Sequence, residues 1–520
     1  MLKERQDKLP AYADIIHEVF SFHGGMNSKA SQLFLGHEGK YVLRKEQLPL
    51  LVNMIRTSSG ALETRPGRDK LNASAVAPPS GDAVVRSIFE IRTAAGVNTI
   101  IINAGNTVYK WNGSSFVSVG TYTTVNTRIH WAQFKDVAIG TNGTDLLHRT
   151  DGATLTAISG SPAGAVALVA YRQRLFALKG RSLVYSGLGD ETDWTTPNNA
   201  GVLPIPTSLG GPGTALLSLW DRLIIFTNQQ VFQLVGTSPT DFSIEPINLQ
   251  YGHELSPYGV IAAGNDIYFG SRRGCHALSV SFSQSITGDV TYDYISGVIE
   301  PTWQAIAAGN FENVVAVNDT QRSQVIFLCN RTGNTNGEAF VADYYHLDAN
   351  SNPTWSNYSS MPFSSAFEVN SLNTAKELLF GGYDGFVYRQ IATTTDAGVN
   401  IPVQIQYVTD LDVPIWDKLW RYLLLFTSAR TGILQGTISF DFGQHVRAFS
   451  FDMTNPGGDL IGSSFMLGSS ALGSVAFKQS RVGIAGHGRF ATVNLSANTA
   501  DKVTIGGMIF FAGLRRLLSP

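Results

Sequence analysis

The tightest constraint on this chain is a unit that keeps coming back. From about residue 83 a small-apolar strand ends in a polar turn, a second strand follows, and after another turn comes a strand with a large, usually aromatic, side chain. TIIINAGNTVYKW (99–111), VALVAYRQRLFALKGRSLVY (166–185), LLSLWDRLIIFTNQQVFQL (216–234), VIAAGNDIYFGSRRGCHAL (260–278) and ELLFGGYDGFVY (377–388) are plain copies. Residues 132–148 are a weaker copy, and 314–345 a longer one with an insertion at 330–337. The late strands can be marked at Tyr109, Leu147, Tyr185, Phe232, His276, Tyr345 and Phe386, which lie 38, 38, 47, 44, 69 and 41 residues apart. Four short strands with their turns take about 40–45 residues, the size of one propeller blade. Each unit has an apolar face that it cannot bury alone, so copies must stack. The expectation is an all-β chain with a β-propeller of five to seven blades over 76–395; an array of β-sandwiches is the alternative. A WD-type signature and the Asp-box of sialidases are both absent from the sequence.

The 520 residues exceed one hydrophobic core, and after residue 395 the pattern changes. Strands become longer and alternate cleanly at 403–407, 422–428, 437–442, 447–453, 476–483, 489–496 and 503–511. This predicts a C-terminal β-sandwich-like domain over 396–520. Charged residues are 15% of the chain, against about 25% in ordinary soluble domains, and 52 glycines with many Ser, Thr and Asn fill the deficit. A surface so poor in charge points to extensive cover by partners. The net charge of −2 gives no basic field for nucleic acid.

Residues 1–75 read as an N-terminal arm and lead-in. Tyr12–Phe20 carries Ile15, Ile16, Val19 and Phe20 on one side of a short helix. In VNMIRTSSGALETRPG (52–67), Ser58-Ser59-Gly60 makes a turn, Ala61–Arg65 alternates like an edge strand, and Pro66-Gly67 turns the chain again. The first ten residues, MLKERQDKLP, lack the apolar core of a signal peptide. No apolar run approaches the ~18 residues of a membrane span.

Reactive constellations are scarce. The ten histidines form no metal-binding pair, and Gly210-Gly211-Pro212-Gly213 lacks the Lys-Ser/Thr of a phosphate cradle. Cys275 and Cys329 fall in different repeats and read as small buried hydrophobes rather than a disulfide. Asp190, Glu191 and Asp193 beside Trp194 have the residue types of a glycosidase site, but acids this close on one turn more often face solvent. His253-Glu254 and Asp410/Asp412 are weaker still, the last an incomplete Ca²⁺ loop. No residue is assigned to catalysis, a cofactor or a metal. The segment NPGGDLIGSSFMLGSSALGS (455–474) is the best candidate for a partner contact. Leu460, Ile461, Phe465, Met466 and Leu467 either pack on their own domain or insert into a neighbouring subunit or partner component.

Val52-Asn53-Met54, Gly60-Ala61-Leu62 and Arg65-Pro66-Gly67 resemble the entry segment of tail hub, or nozzle, proteins of short-tailed bacteriophages. Trp416-Asp417-Lys418-Leu419-Trp420-Arg421-Tyr422 resembles the bend that opens the last domain of that family. The resemblance extends diffusely over most of the chain, in order and spacing more than in identical residues. It implies a structural, non-enzymatic virion protein, made in the host cytoplasm and located in the tail, that forms a homohexameric ring below the portal and adaptor. It also implies contacts to tail fibre or needle, and DNA passing through the lumen without sequence-specific binding. The alternative is a carbohydrate-binding or carbohydrate-active propeller with Trp194, Trp220 and Trp303 as stacking platforms.

Overall fold

The computed structural model describes residues 14–31, 46–206, 211–219, 221–248, 252–253, 256–278, 295–306, 308–348, 352–370, 372, 375–411, 417–429, 431–441, 443, 445–454 and 477–514. Contacts divide the chain into two compact units, one of residues 68–345 and 359–391, the other of 1–67, 346–358 and 392–520. The expected arm (1–75) and C-terminal domain (396–520) therefore fall largely within one unit, because strands from both ends of the chain pair with each other.

The first of these units is a β-propeller, with seven blades among the described residues. Four-stranded antiparallel sheets span 85–121, 130–157, 167–204 and 213–248, and a three-stranded one spans 261–277. The sixth blade begins at Val315–Asp319 and the seventh at Phe363–Val369. The innermost strand of each blade lies beside that of the next, and Phe363–Val369 lies beside Val85–Arg92, so the ring closes. Residues 68–70 supply the last blade's outer strand, pairing beside Val387–Ile391. Asn72 continues the junction, accepting the Val387 N–H on Oδ1 at 2.8 Å. A sheet edge that would otherwise attract another chain is thereby covered.

The repeats read as continuous apolar runs for a physical reason. Each blade is covered on both faces, so its second strand is buried throughout: Arg174–Lys179, Arg222–Thr227 and Gln324–Cys329 are almost wholly inside. The expectation of one apolar face per unit was too few by one. Between the first two blades Ile91, Ile101 and Val108 meet Tyr122, Ile129 and Trp131. Between the last and the first, Val369, Leu379 and Val387 meet Val85, Ile100 and Ile102. Side chains of this kind contribute about 1.5–3 kcal/mol each when fully buried.

The other unit is a pair of packed sheets. Strand Lys418–Ser428 lies between Lys478–Gly488 and Thr504–Leu514 in one sheet, while Val399–Thr409, Ala491–Thr499, Ile433–Phe440 and His445–Asp452 follow one another in the second. Aromatic rings fill the interior: Trp420 lies 5.9 Å from Phe440 and 6.1 Å from Phe510, and Tyr407 5.7 Å from Phe510. The sandwich-like domain expected for the C-terminal region is thus present, with N-terminal strands added.

Those additions correct two readings. Asp14–Val19 is a strand, not a helix, and pairs antiparallel with the C-terminal strand from Asp14↔Gly513 to Val19↔Met508. His17 and Val19 point inward while Ile16 and Glu18 are exposed, a period of two. Leu62–Thr64 is not an edge strand, since Met54–Arg56 pairs on one side and the C-terminal strand on the other. The turn before it is as expected, with the Gly60 N–H donating to the Thr57 carbonyl at 2.9 Å and Gly60 at φ +86°.

The end of the lead-in is a buried polar junction within this unit. Arg65, 2% exposed, grips Asp396 with two hydrogen bonds of 3.0 and 2.6 Å, and its Nε donates to Asn53 Oδ1 at 2.9 Å. Its guanidinium lies 5.5 Å from the Tyr358 ring. Asn53 adopts φ +57° and donates Nδ2–H to the Pro402 carbonyl at 2.7 Å. Gly67 is required by close approach: a Cβ there would sit 2.1 Å from the Thr395 carbonyl oxygen.

Candidate functional site

Two surfaces have the geometry to meet a partner. In the sandwich unit, strand alternation sends apolar side chains to the interior and leaves an outward face of amides and hydroxyls. Ala491, Val493, Leu495 and Ala497 are buried, whereas Thr492, Asn494 and Ser496 face out. The neighbouring strands repeat the rule, and the register aligns the outward residues in rows. One row is Gln404, Ser496, Gln435 and Ser450, and the next is Gln406, Asn494, Thr437 and Ala448. Together with Leu50 this face lines a hollow of about 630 Å³ without a single Lys, Arg, Asp or Glu. The Asn494 amide reaches the Thr437 hydroxyl at 3.4 Å. A face of this kind offers weak, redundant hydrogen bonds and no fixed charge.

The second surface is the propeller's axial channel, a cavity of about 370 Å³ touched by all seven inner strands. It continues at one end into a wider mouth of about 780 Å³ that shares Arg86, Arg128, Pro257 and Tyr258 with it. Arg86 is committed to Asp82, which takes both guanidinium nitrogens, one of them at 2.6 Å. Arg128 is not so occupied. Its Nη2 donates to the Ser364 carbonyl at 2.6 Å and its guanidinium lies 4.8 Å from the Tyr258 ring centre. Its Nη1 is shut from solvent and meets no hydrogen-bond partner among the described residues. Burial lowers the Arg128 pKa, and nearby Arg86 lowers it further, against opposing effects from Tyr258 and Tyr383. His130, whose ring lies 5.6 Å from that of Tyr258, accepts the Leu168 N–H on Nδ1 at 3.2 Å. Burial brings its pKa down to about 4, so the ring is neutral near pH 7 with its proton on Nε2.

The residues singled out in the sequence are distributed otherwise. Leu460, Ile461, Phe465, Met466 and Leu467 lie outside the described residues, as do Trp220, Glu254 and Asp412. The acidic turn is structural. Asp190 caps Thr192, Glu191 pairs with Arg149 at 3.0 Å, and Asp193 binds Thr196 and Asn199. Trp194 is buried against the second and third blades, its indole N–H on the Glu191 carbonyl at 2.8 Å. Trp303 is fully buried beside Phe327 and Phe340. Neither tryptophan is a platform for a sugar, because neither ring face is free. Cys275 and Cys329 are buried free thiols. His253 is enclosed, with Nε2 on the Ser256 carbonyl at 2.8 Å and Nδ1 beside the Gly270 N–H at 3.3 Å. Among the described residues no three His, Cys, Asp or Glu side chains gather into a metal site.

The outward amide rows had a signal in the sequence: Gln404/Gln406, Gln435/Thr437/Ser439 and Thr492/Asn494/Ser496 alternate with aliphatics at a period of two. Arg128 had none, for its surroundings come from seven strands scattered along the chain.

No protein-family model matches the chain, and no curated protein does. Among solved structures it is similar to PorZ, a surface component of the type-IX secretion system of Porphyromonas gingivalis, at 12% identity and a TM-score of 0.37 over 62% of this chain and 37% of that one. It is also similar to the WD40 domain of Toxoplasma gondii coronin, at 9% identity and 0.35 over 66% and 86% of the two chains. A third likeness is to the extracellular domain of a one-component system of B. thetaiotaomicron, at 11% identity and 0.32 over 68% and 39%. The chain thus spans less than half the length of PorZ and of that sensor domain. Superpositions this loose assign no activity.

Proposed function

We propose that this chain is a structural protein of a short-tailed phage tail, a subunit of a ring-shaped hub or nozzle that lines the path of DNA. The observation that carries the reading is the uncharged hollow on one outward face of the sandwich unit. DNA carries one negative charge per ~1.7 Å of its axis, so lysines and arginines along a conduit would hold phosphates and release counterions. A wall of Gln, Asn, Ser and Thr lets the duplex slide. The order of elements along the sequence, lead-in, propeller and closing β domain, supports the same reading, as do the low charge content and the Asn53, Gly60 and Arg65-Pro66-Gly67 motif. On this reading the partners are other copies of the chain, the portal and adaptor, and a fibre or needle.

Quantitative mass spectrometry of purified particles tests it. The expected result is a copy number near half that of the portal protein; absence from the particle overturns the reading. A second measurement addresses the wall itself. Gln404→Lys with Gln435→Lys places two cations on the neutral face, where both residues are exposed. Stability should change by less than about 0.5 kcal/mol per substitution, while DNA release from assembled particles slows. Unchanged release kinetics would remove this face from the DNA path.

A further inference from the structure

The geometry points to the propeller channel as a binding site for a carboxylate, held by Arg128 where the channel opens into its mouth. A guanidinium presents donors in a planar fork that matches a carboxylate's two oxygens. Arg128 has already spent one side of that fork on the Ser364 carbonyl and is supported from below by the Tyr258 ring. A second nitrogen, Nη1, is out of solvent and meets no partner among the described residues. Placing a cation in such a position is costly unless an anion meets it, and among the described residues none does. Asp82 is bound to Arg86, and Glu312, at the rim of the mouth, is exposed.

The neighbours suit the same ligand. Tyr258 is kept as a phenol by burial, and His130 carries its proton on Nε2, so both are donors rather than competing anions. Thr214, on the wall of the mouth, has a buried hydroxyl that also lacks a partner. Two orphaned polar groups in one cavity are more than packing requires, since buried polar atoms are nearly always paired. The channel's 370 Å³ lies at the small end of ligand sites, which limits the ligand to a short acid or to a single acidic side chain reaching in from a partner. This site is independent of the tail reading and stands or falls separately.

The test is calorimetric and ligand-observed NMR titration of the full chain with butyrate, inorganic phosphate and a blocked Gly-Glu-Gly tripeptide. Butyrate is expected to bind with a Kd of about 0.1–1 mM, and Arg128→Gln to weaken it at least about tenfold. Arg128→Lys, which keeps the charge and loses the fork, should fall between. Binding by the tripeptide as well assigns the carboxylate to a partner's side chain, and binding by butyrate alone assigns it to a free acid. Should Arg128→Gln fail to fold, the wild-type chain answers instead: butyrate must slow modification of Arg128 by an arginine-selective dicarbonyl, read by peptide mapping. The assignment is overturned by the absence of butyrate binding, by binding that survives Arg128→Gln in a folded variant, by preferential binding of phosphate, or by unprotected modification of Arg128.

Discussion

Replacing Arg65 with alanine is expected to lower the unfolding free energy by about 3–5 kcal/mol, the usual consequence of removing one partner from a buried ion pair. Three separate groups lose a partner at once. Asp396, whose side chain is 18% exposed, is left as a carboxylate without its bidentate donor. Asn53 Oδ1 loses the Nε–H at 2.9 Å, in a residue already held at φ +57°. The Pro66 carbonyl loses a donor at 3.1 Å. Asp396→Asn should cost less, because an amide oxygen still accepts from the guanidinium. The paired replacement Arg65→Met with Asp396→Leu should recover much of the loss, since no charge is then left buried. Urea unfolding of the three variants decides the matter. A loss under about 1 kcal/mol for Arg65→Ala would show that water replaces the arginine freely.

Acidification is expected to unfold the protein in the window between pH 6.5 and about 4. His130, His253 and His276 are enclosed, and burial depresses all three to about 4. In the unfolded chain they titrate near 6.5, so between these values the unfolded state binds one more proton per histidine. Stability is therefore fully present above pH 6.5 and falls as the pH drops toward 4. Each group contributes a slope of about 1.4 kcal/mol per pH unit, and the three together about 4. Carboxylates act lower: hydrogen bonds from Ser238 and Thr237 hold Asp241 at about 2, so its effect is confined to pH below about 4. Calorimetric melting points between pH 7 and 4 provide the measurement. His253→Gln should remove about a third of the slope in the upper window whatever it does to stability at pH 7. A flat profile down to pH 4.5 would mean that these rings are hydrated and titrate normally.

The propeller was legible because each blade repeats its chemistry locally. Tyr109, Tyr185, Phe232, His276 and Tyr345 all fall in the third strand of their blades, and Leu147 and Phe386 one residue ahead of theirs. Local patterning fails where the deciding partner is remote. Asp14–Val19 has helical spacing on paper, but pairing with Met508–Gly513 overrides it. Leu62–Thr64 has the look of an edge until Thr504 and Ile505 arrive beside it. Arg128 reads as one more scattered cation, since nothing near it in the sequence shows that the ring will bring Ser364 and Tyr258 against it. The acidic turn at 190–193 shows the reverse: adjacent acids attract notice in a sequence, yet each is consumed by its own cap or ion pair.

The pairing of both chain ends in one unit also sets a timetable. Thr64 and Val503 hydrogen-bond across 439 residues. At about 5–20 residues per second, a ribosome needs roughly 20–90 s to deliver the second after the first. The propeller's own seam, residues 68–70 against Val387–Ile391, is complete well before that. The N-terminal strands therefore wait through most of synthesis for their C-terminal partners, the last stretch of it after the propeller has closed, and a nascent chain halted after residue 391 should carry a protease-resistant middle and a cleavable beginning.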